Sequence, residues 1–110
     1  MQNLQPCIEA CGASALASRA AAAECLKNPS TLEVGRLCLD NAALCDLTVE
    51  VLARRAAHLG DFCVVNRHIN QVCAAACAPL ADTSETLRRC RDACLLCATE
   101  CEKHLGEADL

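Results

Sequence analysis

Aromatic residues are nearly missing from this chain: it has no tryptophan, no tyrosine and a single phenylalanine, Phe62, in 110 residues. That excludes a core built on rings. With a net charge of −4 it also excludes a stacking platform or a basic surface for nucleic acid. Valine and isoleucine together number only eight, and apolar positions recur every three or four residues rather than every two, which argues against strands. Three prolines and four glycines are too few for a loop-rich chain. No uncharged apolar run reaches the roughly 18 residues that suggest a membrane span. A basic segment leading into an apolar stretch and a small-residue cleavage site is missing after Met1, so the expectation is a soluble, cytoplasmic protein that begins at its initiating methionine.

What is present is small and sulfur-rich. The length suits one domain, residues 1–110, and is too short for two cores. The hydrophobic fraction is 54%, but 21 of those residues are alanine and 12 are cysteine. Such a core is thin, so something beyond aliphatic packing is expected to help hold it.

The punctuation predicts four helices, over about 4–27, 31–58, 62–78 and 84–105. The first stops at Asn28-Pro29, because the residue before proline is pushed out of the helical region. Ser30 or Thr31 then caps the second, which ends at Leu59-Gly60. Asp61 caps the third, and Asp82 with Glu85 forms a capping-box-like start for the fourth. Connections this short force antiparallel neighbours, so the expected fold is all-α, an up-down-up-down four-helix bundle.

Every helix carries a cysteine stripe. Cys90, Cys94, Cys97 and Cys101 fall within about 60° of arc at 100° per residue. Cys73 and Cys77 are one turn apart, with Cys63 about 80° away from Cys73. Cys38 and Cys45 are seven residues apart, and Cys7, Cys11 and Cys25 lie within about 40° of one another or less between successive pairs. In a bundle such stripes occupy the inward positions, which predicts a cysteine-lined core.

Twelve inward thiols exceed what packing alone needs, since Leu or Ala would fill the space without oxidation risk. Disulfide stapling of a structural or chaperone-like protein is one alternative. The run Cys73-x3-Cys77, twelve residues, Cys90-x3-Cys94 resembles the twin-CX3C hairpin of the small Tim chaperones, a resemblance that implies Cys73–Cys94 and Cys77–Cys90 pairs; it covers one hairpin and leaves eight cysteines over. A reducing cytosol disfavours such bonds. Metal binding is the other route. Thiolates one helical turn apart have Cβ atoms about 5–6 Å apart, within reach of a shared ion. Cu(I) is soft and accepts low coordination numbers, whereas zinc demands a closed tetrahedron and stays an alternative by bridging helices. The iron–sulfur ligand run has a different spacing and sits on irregular backbone. A thiol oxidoreductase is a third reading, although Cys94-x2-Cys97 lacks the helix N-terminal setting that activates a redox thiol. No phosphate loop, carboxylate pair or Ser-His-Asp order is present, so a binding protein is favoured over an enzyme.

The motifs Cys7-IEA-Cys11, Cys73-AAA-Cys77 and Cys90-RDA-Cys94-LL-Cys97-ATE-Cys101, spread with the other stripes over all four helices, resemble the cysteine-lined four-helix-bundle copper storage proteins. The resemblance implies Cu(I) held by intrahelical and interhelical thiolates, a homotetramer, and a cytosolic location for members without a signal peptide. Its ligand set would be the twelve cysteines. The chain also departs from that pattern, because Ser14, Ser18, Ala21, Asn41, Thr48, Asn66 and Asn70 stand where further cysteines would continue the stripes. Asn and Ser are hard donors that bind Cu(I) poorly, so fewer ions are expected, in clusters confined to the ends, with the polar residues hydrogen-bonding across the core.

Antiparallel alternation brings Cys7, Cys63, Cys101 and His104 to one mouth, with Met1 nearby, and Cys25, Cys38, Cys77 and Cys90 to the other end. His104 extends the fourth stripe and reads either as a metal ligand at the mouth or as a solvent-facing residue favoured by the helix dipole. His58 and His68 fall off the stripes and read as solvated.

Overall fold

The computed structural model describes residues 3–106. Four helices follow one another, α1 (Gln5–Cys25), α2 (Leu32–Ala53), α3 (Leu59–Cys77) and α4 (Glu85–Glu102), with short 3-10 turns at Pro29–Thr31 and Ala78–Leu80. Each helix packs on its sequence neighbours and α4 closes on α1, which is the expected antiparallel bundle. It measures 46 × 19 × 17 Å, long and narrow because alanine and cysteine let the helices approach closely. Gly35 of α2 shows how close: a Cβ there would stand 3.0 Å from the Leu26 side chain and 3.2 Å from Cys25 Cβ.

The helix ends differ from the expected ones in instructive ways. Thr31 holds the N-cap position of α2, as expected, but its side chain makes no capping bond there; Thr31 Oγ1 turns back and donates to Cys25 O at 2.8 Å, closing α1 instead. Asn28, extended before Pro29 as expected, accepts from Ser30 N at 3.0 Å. The second helix stops at Ala53 rather than near His58. Arg55 adopts a left-handed φ of 48°, Arg55 N donates to Leu52 O and Ala56 N to Val51 O, which is a Schellman stop. Glycine usually marks that position, so an arginine there hides the stop from sequence reading. His58 also has positive φ, at 66°, and α3 starts directly after it, so Asp61 lies inside the first turn near the positive end of the helix dipole and is not the cap. At α4 the cap is Ser84, not Asp82: Ser84 Oγ accepts from Leu87 N at 3.2 Å and donates to Glu24 Oε2 at 2.5 Å.

The buried apolar residues form two clusters along the axis. One holds Cys7, Cys11, Cys45, Cys63, Cys97 and Cys101 with Leu4, Val51, Leu52 and Leu59. The other holds Cys25, Cys38, Cys73, Cys77, Cys90 and Cys94 with Ala21, Ala22, Ala74 and Leu87. We call these the His104 end and the Cys25 end.

Candidate metal centre

All twelve cysteines are reduced and buried, so neither the chaperone-like pairing of Cys73 with Cys94 and Cys77 with Cys90 nor any other disulfide is formed. Helical periodicity aims each stripe at the axis, and the bundle sorts the sulfurs into six at each end.

At the Cys25 end Cys38, Cys73, Cys77 and Cys90 place their Sγ atoms within 4.8 Å of one another. Cys38 lies 3.7 Å from Cys73 and 3.9 Å from Cys77, and Cys90 lies 3.9 Å from Cys94. Cys25, Cys38, Cys77 and Cys90 meet at this end as expected, with Cys25 buried beside the compact set and Cys73 inside it. At the His104 end the compact set is Cys7, Cys11 and Cys101. Cys7 and Cys101 are 3.6 Å apart, Cys11 and Cys101 4.0 Å, and Cys11 and Cys97 3.5 Å. Cys63 lies in the same buried cluster as Cys7 and Cys101, as expected, and Cys11 joins them there. His104 follows the end of α4 and is only 3% exposed, so the solvent-facing reading fails; it is not a member of the compact set. His58 and His68 are exposed, as expected, and Met1 lies outside the described residues.

These spacings bear on chemistry. Around one ion with metal–sulfur bonds of about 2.3 Å, two sulfurs stand about 3.8 Å apart in a tetrahedron, about 4.0 Å in a trigonal plane and about 4.6 Å on a line. The observed 3.5–4.0 Å therefore suits three or four thiolates on one ion with little movement, and linear binding with a rotamer adjustment.

Proton positions differ among the sulfurs. Hydrogen bonds donated by Cys38, Cys73, Cys77 and Cys94 hold Cys90 far below the ordinary thiol range despite its burial. Cys45 is lowered to about 6, chiefly by its bond with Cys97 and also by Asn70, Ser14 and Asn66, against the effect of burial. Cys73 is pushed up by its bonds to Cys38, Cys77 and Cys90, and Cys101 by its bonds to Cys11 and Cys63.

Between the ends lies a belt with no solvent contact: Ser14, Ser18, Asn41, Thr48, Asn66 and Asn70 are all 0% exposed. Asn70 Oδ1 accepts from Ser14 Oγ at 2.7 Å and from Asn41 Nδ2 at 3.2 Å, and Asn70 Nδ2 donates to Asn66 Oδ1 at 2.7 Å. Asn66 Nδ2 donates to Thr48 Oγ1 at 2.9 Å, and Asn41 Nδ2 to Ser18 Oγ at 3.0 Å. Asn66 Oδ1 accepts from Cys97 and Cys101, each at 3.2 Å. The belt is thus satisfied internally and at its borders by sulfur, as expected for polar residues at stripe positions.

The sequence model of the copper storage proteins (Csp) matches residues 1–106. The chain belongs to the copper storage protein family. The solved structures it is similar to include a cytosolic copper storage protein from Streptomyces lividans loaded with five coppers, at 28% identity and a TM-score of 0.86 over 94% of this chain and 92% of that one. Two others are at 23% identity and a TM-score of 0.86: apo copper storage protein 3 from Bacillus subtilis, over 94% of this chain and 100% of that one, and the Cu(I)-bound copper storage protein BsCsp3, over 96% and 100%. The latter two carry the fold alone. No curated protein matches. Among the described residues no helix is long and apolar enough to cross a membrane.

Proposed function

We propose that this copper storage family member binds Cu(I) as cargo through the thiolates inside its bundle, and so stores or buffers copper. The single observation that carries the reading is the arrangement of twelve buried, reduced cysteines in two groups of six, with sulfur spacings that suit a shared soft ion. The proposed ligands are Cys7, Cys11, Cys45, Cys63, Cys97 and Cys101 at one end and Cys25, Cys38, Cys73, Cys77, Cys90 and Cys94 at the other, with His104 as an accessory donor. Each arriving ion displaces thiol protons to solvent, so acid weakens uptake. The role is binding rather than catalysis.

The reduced thiols suit a cytoplasmic location, in line with the cytosolic Streptomyces lividans relative. Assembly as a homotetramer is supported by the flank between α1 and α4, where exposed Leu16 and Leu96 border two grooves of about 290 and 370 Å³.

Titrating the reduced protein with Cu(I) under anaerobic conditions tests the reading. The expected result is thiolate-to-copper absorption rising linearly to a stoichiometric end point against a competing chelator. Absence of that band, or uptake no tighter than the chelator's, overturns it. The set at the Cys25 end offers four thiols within 4.8 Å of one another, the number a closed zinc site needs, which favours zinc as a second occupant; Cu(I) is expected to displace it.

A further inference from the structure

Two features of the bundle bear on how copper reaches its thiols. The first is the belt. Asn41 stands between Cys94 of one end and Cys45 of the other, its Nδ2 3.5 Å from Cys94 Sγ and its Oδ1 3.9 Å from Cys45 Sγ. Handing Cu(I) from one end to the other would require passage through six hard side chains whose hydrogen bonds already satisfy one another. The thiols of the Cys25 end therefore need their own access.

The second is a difference in how the two ends are covered. At the His104 end Leu4, Val51, Leu52 and Leu59, none more than 4% exposed, pack with the sulfurs as an aliphatic plug. At the Cys25 end a cavity of about 200 Å³ opens between the α1–α2 and α3–α4 connections, with Glu24, Cys25, Asn28 and Ser84 in its lining beside the leucines Leu80 and Leu87. Cys25 is a soft donor in that lining and also a member of the buried sulfur cluster behind it. Cys77 and Cys90 belong to the same buried cluster as Cys25 and stand behind it as the next sulfurs. The Glu24 carboxylate at the rim favours cations, and its hydrogen bond from Ser84 ties the two connections across the opening.

We propose that the cavity between the two connections is a separate Cu(I) portal for the Cys25 end, with Cys25 as the receiving thiol that passes each ion to Cys77 and Cys90. The inference rests on the copper-storage reading above. Cu(I) binds Cys25 with release of the thiol proton, then moves inward by exchange as a neighbouring thiolate forms its bond to copper and the Cys25 bond breaks; no electron transfer is involved.

Stopped-flow mixing of the reduced protein with Cu(I) from a weak chelator, followed by thiolate-to-copper absorption, tests this. Wild type is expected to load in two phases. Cys25→Ser, close in size but without the soft donor, should slow one phase at least tenfold and lower the final uptake by no more than about one ion; Cys25→Met, which keeps a soft donor, should restore much of the rate. A Cys7→Ser, Cys101→Ser variant should lose the other phase and keep the Cys25-dependent one. The proposal is overturned if Cys25→Ser loads like wild type, if Met and Ser behave alike, or if the double variant takes up nothing while retaining wild-type helicity. Failure of wild type to take up Cu(I) would instead overturn the storage reading.

Discussion

The two ends of the bundle hold six cysteines each yet are built differently. The His104 end surrounds its sulfurs with Leu4, Val51, Leu52 and Leu59, drawn from the chain start and the α2–α3 turn. The Cys25 end has mainly alanine around its sulfurs, Leu87 as its one fully buried large aliphatic, and a cavity reaching Cys25. Equal thiol content with unequal cover teaches that capacity and access are separate properties: helix periodicity sets the first, and the residues at the connections set the second.

The comparison is broken most directly by emptying one end. Replacing Cys38, Cys73, Cys77 and Cys90 with serine is expected to remove most uptake at the Cys25 end, roughly half of the total, while the His104 end still loads. Anaerobic titration of the variant measures it, and loss of all binding would mean that the ends are coupled rather than divided by the belt.

Alkali sharpens the same contrast in the metal-free protein. Cys11, Cys97 and Cys101 at one end and Cys25, Cys38, Cys73 and Cys94 at the other have thiols raised above the ordinary value of 9.0. A raised group stabilises the fold fully below its unfolded pKa and loses that contribution as pH rises toward the folded one. Thiols that stay protonated in the fold therefore make the protein progressively less stable as pH rises above roughly 9. Cys45, lowered to about 6, has the opposite sign: its contribution is present above 9 and is lost as pH falls through 6. Urea unfolding between pH 8 and 10.5 should show steep destabilisation of the apo protein, and a flat profile would contradict the sulfur hydrogen bonding described above.

The belt is probed by Asn70→Ala, which strips the acceptor from Ser14 and Asn41 and the donor from Asn66. Asn41 and Asn66 keep other partners, so the cost comes from the lost bonds and the space left behind; it should be about 2 kcal/mol, read from the shift of the urea midpoint. The smallest effect is expected at Ser84→Ala, where loss of the α4 cap costs about 1 kcal/mol in thermal or urea unfolding. Loss of its bond to Glu24 should also loosen the Cys25 end, giving faster rather than slower loading there.

Much of this architecture is legible in the residues. The helix count follows from the proline and glycine punctuation, and the inward stripes and their interruption by Ser14, Asn41, Asn66 and Asn70 follow from spacing at 100° per residue. Helix ends were less legible, because Arg55 occupies a left-handed position that glycine would have announced, and because Thr31 and Ser84 had competing polar neighbours for the capping role.

What the sequence determines by itself is angular: it says which side of each helix carries sulfur, since periodicity is a local property. Only the tertiary structure decides the axial register. The axial offsets of the helices bring Cys38, Cys73, Cys77 and Cys90 together at one end and Cys7, Cys11 and Cys101 at the other, and seat His104 inside. The same offsets close the belt's hydrogen bonds, because contacts between helices depend on where the connections stop each one, which no single stripe encodes.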